Sequence, residues 1–153
     1  MALRSNFSDG INRIVGPIGR VIARTGVTPN ALTTLGLVLT GVAALLVGTG
    51  NPVIAGWVLV FGGLMDTFDG AVARARGAST PFGGFYDSVT DRLADGIILG
   101  GVAWWLSQSG STMPGAPRLL LLTIAALVAA EVTSYVRAKA EAIDLTCSIG
   151  VLE

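Results

Sequence analysis

The 153-residue chain contains no histidine. Any proton transfer near neutral pH therefore falls to a carboxylate, a lysine, a tyrosine or water. Its single cysteine, Cys147, excludes an internal disulfide and a thiolate metal cluster, and reads as inert. Charge is also scarce: 13% of residues are charged and 52% are hydrophobic, where soluble domains carry about 25% charged residues. Ten basic and ten acidic residues balance to a formal net charge of zero, which argues against a general nucleic-acid binder. The mean hydropathy of +0.69 is that of a membrane protein. The N-terminal residues lack the apolar core of a cleaved signal peptide, and there is no internal repeat or low-complexity tract.

The apolar residues gather into four stretches, about 31–49, 53–75, 82–106 and 118–138. Each is near or above the ~20 residues that cross a bilayer as a helix. Three of them open on a polar residue followed by proline: Thr28-Pro29, Asn51-Pro52 and Thr80-Pro81. A capping side chain followed by proline in the first turn marks an abrupt helix start. Pro117 opens the fourth in a similar way. Ahead of them, residues 4–24 read as an amphipathic helix. Phe7, Ile11, Ile14, Ile18 and Ile22 recur at helical spacing, with Arg13, Arg20 and Arg24 between them, a pattern suited to the headgroup layer. The expected fold is an all-α integral membrane protein, with a juxtamembrane helix followed by four transmembrane helices. Arg4, Arg13, Arg20 and Arg24 precede the first span, Arg74 and Arg76 lie between the second and third, and Arg137 and Lys139 end the fourth. The connections at 49–52 and 107–117 carry no charge, so the positive-inside rule assigns the basic ends to the cytoplasm.

Against this apolar background stand four aspartates: Asp66, Asp69, Asp87 and Asp91. An acid at mid-span costs roughly 2.5–3.5 kcal/mol on insertion scales, and the spans offer almost no positive charge to offset it. Asp66 and Asp69 are spaced i,i+3, and Asp87 and Asp91 i,i+4, so each pair shares a helix face. If spans two and three form an antiparallel hairpin about a turn near Ala78, Asp69 meets Asp87 in height and Asp66 meets Asp91. Four converging carboxylates suit Mg²⁺ or Mn²⁺, and are enough for two ions. Gly62, Gly63, Gly70, Ala71, Ala73, Gly83 and Gly84 leave room for close helix packing or for a ligand backbone. Arg74, one turn from Gly70, could pair with a phosphate.

The run Asp66-x2-Asp69-Gly70-x2-Ala73-Arg74-x8-Gly83-x3-Asp87-x3-Asp91 resembles the signature of the CDP-alcohol phosphotransferase family of membrane enzymes. Every fixed position is present at the family's spacing. Asp91-Arg92-x2-Asp95-Gly96, Trp104-Trp105 and residues 134–141 are similar to its actinobacterial phosphatidylinositol phosphate synthase branch. The resemblance implies six transmembrane helices and a homodimer, so this chain is expected to be the N-terminal portion of a longer protein. It implies that Asp66 and Asp69 ligate one metal and that Asp69, Asp87 and Asp91 ligate a second. It also implies that Pro29, Asn30, Ala31, Leu32, Gly70, Arg74 and Thr80 contact the CDP-lipid, and that Asp91 is the general base. The implied reaction is attack of an acceptor hydroxyl on the β-phosphorus of CDP-diacylglycerol with release of CMP. Inositol phosphate is the expected acceptor, its phosphate held by Arg137 and Lys139, in a multi-pass plasma-membrane protein whose active site faces the cytoplasm.

Alternatives remain at this level. Glycerol 3-phosphate or another alcohol could be the acceptor, because the motif is shared. A divalent-cation transporter would need polar residues continuing to the far side, and spans one, two and four are nearly uncharged in their outer halves. A non-catalytic lipid-binding scaffold is favoured only for a chain that ends at Glu153. Asp95 could shape the acceptor pocket or pair with Arg92.

Overall fold

The structure, a computed structural model, describes residues 15–77, 80–109 and 112–145. Residues 4–14 of the expected juxtamembrane helix, Ala78 at the expected turn and Cys147 lie outside these described residues. Helix α1 covers residues 15–24. It is followed by α2 (Pro29–Gly48), α3 (Pro52–Arg76), α4 (Pro81–Gln108) and α5 (Ala116–Glu141). The described residues contain no strand.

Local chemistry sets the helix ends. The Thr28 hydroxyl accepts from the Ala31 amide at 3.2 Å, and the Thr80 hydroxyl from the Gly83 amide at 3.0 Å; each supplies a partner for an otherwise orphaned first-turn donor. Asn51 departs from this pattern. Its side chain makes no capping bond to α3; the amide instead lies 3.4 Å from the Thr49 carbonyl. Gly115, at φ 88, starts α5 without a side-chain cap. Gly77, at φ 59, ends α3 with its amide turned back on the Ala73 and Arg74 carbonyls, a left-handed conformation that glycine adopts without a Cβ penalty.

Three helices, α2, α3 and α5, are long and apolar enough to cross a membrane. The fourth expected span, α4, has the length at 28 residues but not the composition, because Asp87, Asp91, Arg92 and Asp95 crowd residues 87–95.

Although the 74–80 connection joins α3 directly to α4, no Cα of α3 comes within 8 Å of a Cα of α4, and α2 lies against both. Small residues permit this. A Cβ on Gly36 would stand 3.3 Å from the Gly62 carbonyl oxygen of α3, and one on Gly101 of α4 only 2.6 Å from the Ala44 oxygen of α2. Helix axes approach this closely in lipid only where side chains are absent or small. Two aspartate-bearing faces offer no such contact, because like charges repel. Toward the far end, Ala43, Val47 and Ala55 form the buried core. Of α2, α3 and α4, helix α5 packs on α4 alone, and α1 meets α3 through Gly19, where a Cβ would clash with Ala71.

Candidate functional site

The space between α3 and α4 is where the acids meet. Single carboxylate oxygens of Asp66, Asp69 and Asp87 all lie within 4.8 Å of one another. Asp69 is buried, Asp87 half-buried and Asp66 exposed. The Thr33 hydroxyl of α2 donates to Asp69 Oδ2 at 2.5 Å. Among the described residues, no arginine or lysine forms an ion pair with any of the three. Three convergent oxygen donors without a cation are chemically suited to a hard divalent ion. Beside them, a cavity of about 220 Å³ opens between α2, α3 and α4, lined by Thr33, Gly36, Asp66, Thr90, Asp91 and Asp95 among others.

Asp91 does not join that trio, but it lines the same cavity as Asp66, which its spacing predicts it meets in height. Its Oδ2 lies 3.9 Å from Arg92 Nη2. Arg92 also pairs with Asp95 at 3.5 Å, and its Nη1 donates to Ser134 Oγ of α5. Arg92 therefore serves Asp91 and Asp95 rather than the trio.

The residues expected to contact a CDP-lipid fall at one end of the bundle. Pro29, Asn30, Ala31 and Leu32 form the first turn of α2, with Leu32 buried. Thr80 caps α4, and a Cβ on Gly83 would sit 3.9 Å from Asn30 Oδ1, so the two helix starts are neighbours. The Arg74 side chain folds back over Gly70, with Nη1 3.3 Å from where a Cβ would stand. Helix N-termini and a guanidinium both favour anions. Arg76, by contrast, is structural: its Nη2 donates to the Ala23 carbonyl at 2.6 Å and fastens α1 to α3. Arg137 pairs with Glu141 at 3.0 Å, and Lys139 lies exposed in the last turn of α5. Neither lines the cavity.

Thr33, Thr34 and the Arg92–Ser134 tether escape the reading of the sequence. A signal for Thr33 exists: with Gly36, Thr40 and Ala43 it forms a small and polar stripe on one face of an otherwise apolar helix. Such stripes mark helix interfaces in membranes.

Residues 26–150 match the family described as CDP-alcohol phosphatidyltransferase. The chain is 40% identical over 145 residues to a phosphatidylinositol phosphate synthase of Corynebacterium glutamicum, a match covering 92% of this chain and 63% of that protein. It is 37% identical over 142 residues to an archaetidylinositol phosphate synthase of Pyrococcus horikoshii, covering 89% of this chain and 68% of that one. The crystal structure of Mycobacterium tuberculosis phosphatidylinositol phosphate synthase with CDP-DAG bound superposes with a TM-score of 0.80 at 37% identity, over 92% of this chain and 69% of that chain. The same enzyme in complex with manganese and citrate gives a TM-score of 0.78, over 91% and 65%. The chain thus spans about 63% of the length of the Corynebacterium relative. Five helices among the described residues, the acid spacing and a match over most of the sequence have one meaning: this chain is a membrane protein of the CDP-alcohol phosphatidyltransferase family.

Proposed function

We propose that the protein transfers the phosphatidyl group of CDP-diacylglycerol to the hydroxyl of inositol phosphate, releasing CMP and forming phosphatidylinositol phosphate. The observation that carries this reading is the convergence of Asp66, Asp69 and Asp87 within 4.8 Å, in a chain related to enzymes of that name. Asp66, Asp69, Asp87 and Asp91 would hold two divalent ions, Mg²⁺ with Mn²⁺ as a substitute. Bound there, the ions neutralise the diphosphate and the charge that builds on the leaving oxygen.

The remaining work belongs to the chain itself. The first turns of α2 and α4, with Pro29, Asn30, Ala31, Leu32 and Thr80, receive the CDP group, and Arg74 reaches over Gly70 toward a phosphate. Asp91 is the proposed base for the acceptor hydroxyl, because no histidine exists and it lines the cavity beside the trio. Arg92, 3.9 Å away, restrains it. Arg137 and Lys139 are the proposed holders of the acceptor phosphate. The basic ends of α1, α3 and α5 support a cytoplasm-facing site in the plasma membrane, and a homodimer is the proposed assembly.

Incubating membranes that contain the protein with CDP-diacylglycerol and labelled acceptors tests this. Lipid labelling from inositol phosphate with stoichiometric CMP is expected. Labelling from glycerol 3-phosphate alone overturns the acceptor, and absence of CMP release with every acceptor overturns the reaction. Asp91→Asn is expected to abolish CMP release while CDP-lipid binding persists; near-normal turnover in that variant removes Asp91 as the base.

A further inference from the structure

Asp69 is the most enclosed of the three converging acids, 7% exposed, and a buried charge must be hydrogen-bonded to be tolerated. Its one side-chain donor among the described residues is the Thr33 hydroxyl, 2.5 Å from Oδ2. Thr33 is itself 6% exposed and belongs to α2, not to the helix that carries Asp69. A hydroxyl has a single proton to give. The Pro29 carbonyl lies 3.2 Å from the same oxygen, so the shorter, charge-assisted contact to the carboxylate takes that proton. The next residue, Thr34, shares a 2.8 Å hydrogen bond with the Tyr86 hydroxyl of α4, and Tyr86 immediately precedes Asp87. Since α3 and α4 make no close backbone approach to each other, the separation of Asp69 from Asp87 is held through α2.

We infer that Thr33 is a positioning residue for the metal centre: its hydroxyl fixes the rotation of the Asp69 carboxylate and ties it to α2. Thr34 holds the α4 wall at its distance through Tyr86. Carboxylates that ligate metals are themselves hydrogen-bonded, and loss of such a partner typically costs 10–100-fold in metal affinity. This role presupposes that the acid cluster binds a divalent ion, as proposed above.

The test is Mn²⁺ binding, read by electron paramagnetic resonance on the protein in lipid nanodiscs, with no turnover required. Thr33→Val, which keeps the shape and removes the donor, is expected to lose about tenfold in Mn²⁺ affinity. Thr34→Val is expected to lose less. Thr33→Ser keeps the hydroxyl and is expected to bind as the parent does. Parental affinity in Thr33→Val overturns the proposal. So does a loss in Thr33→Ser equal to that in Thr33→Val, since the hydroxyl is then not what acts; this arm stands even where the valine variant folds poorly. Failure of the parent protein to bind Mn²⁺, or indifference of binding to Asp66→Asn, overturns the metal reading itself and is a separate outcome.

Discussion

Helices α2 and α5 are nearly equal in hydropathy, 2.1 and 2.0 over their most apolar windows. They have opposite places in the molecule. Helix α2 touches both α3 and α4 and buries seven residues, among them Thr33, Gly36 and Thr40. Of α2, α3 and α4, helix α5 touches α4 alone, and it buries only Ala116. Apolarity decides that a segment enters lipid; it says nothing about which segment becomes the centre, because lipid solvates leucine as well as a neighbouring helix does. The two differ in glycine: α2 has Gly36, Gly41 and Gly48, and Gly36 lets it close on the Gly62 carbonyl of α3, whereas α5 has no glycine at all.

The largest effect should come from the acid that α2 supports. Asp69→Asn is expected to reduce CMP release about 100-fold or more, given that a bound ion supplies several kcal/mol of charge stabilisation. Helicity by circular dichroism should be unchanged, which separates the chemistry of the α2 face from its packing. Removal of divalent ions by EDTA is expected to abolish release in the same way and to be reversed by added Mg²⁺.

Next comes the packing of α2 itself. Gly36→Leu drives a side chain into the Gly62 carbonyl and should cost about 3 kcal/mol, seen as an early thermal melt in nanodiscs. A normal melt would mean that α2 is not the centre. The α5 contact is weaker: Ser134→Ala removes the acceptor of the Arg92 tether and should cost about 0.6 kcal/mol, the average for such bonds in lipid. Smallest of all, Leu122→Ala on the exposed face of α5 should stay within about 0.5 kcal/mol. A large effect there would show that this face is covered.

Much of this was legible in the sequence, for reasons that are local. Thr28-Pro29 and Thr80-Pro81 mark helix starts because a cap and a missing amide act within one turn. The i,i+3 and i,i+4 spacings of the aspartates report a shared face because helical periodicity is local too. Choice of neighbour is not local. The 74–80 turn tells that Asp69 and Asp87 can meet, as they do, but not that α2 lies against both helices or that Asp91 falls outside the trio while Arg92 engages it. Asn51 shows the limit even at short range: it has the residue type of a cap, and its amide turns to Thr49 instead. The hydroxyl on Asp69 comes from 36 residues away, a distance at which no spacing rule speaks.

The central place of α2 also has a consequence in time. Chains are made from the N-terminus at about 5–20 residues per second, so α2 is in the membrane before either helix it organises. Helix α4 carries three acids and an arginine between residues 87 and 95, each a burden of roughly 2.5–3.5 kcal/mol at the centre of an isolated span. It emerges when α2 already offers Ala44 for Gly101 to dock against and α3 already presents Asp66 and Asp69. The least apolar helix thus enters a template instead of bare lipid, and the acid cluster closes only as that last wall arrives.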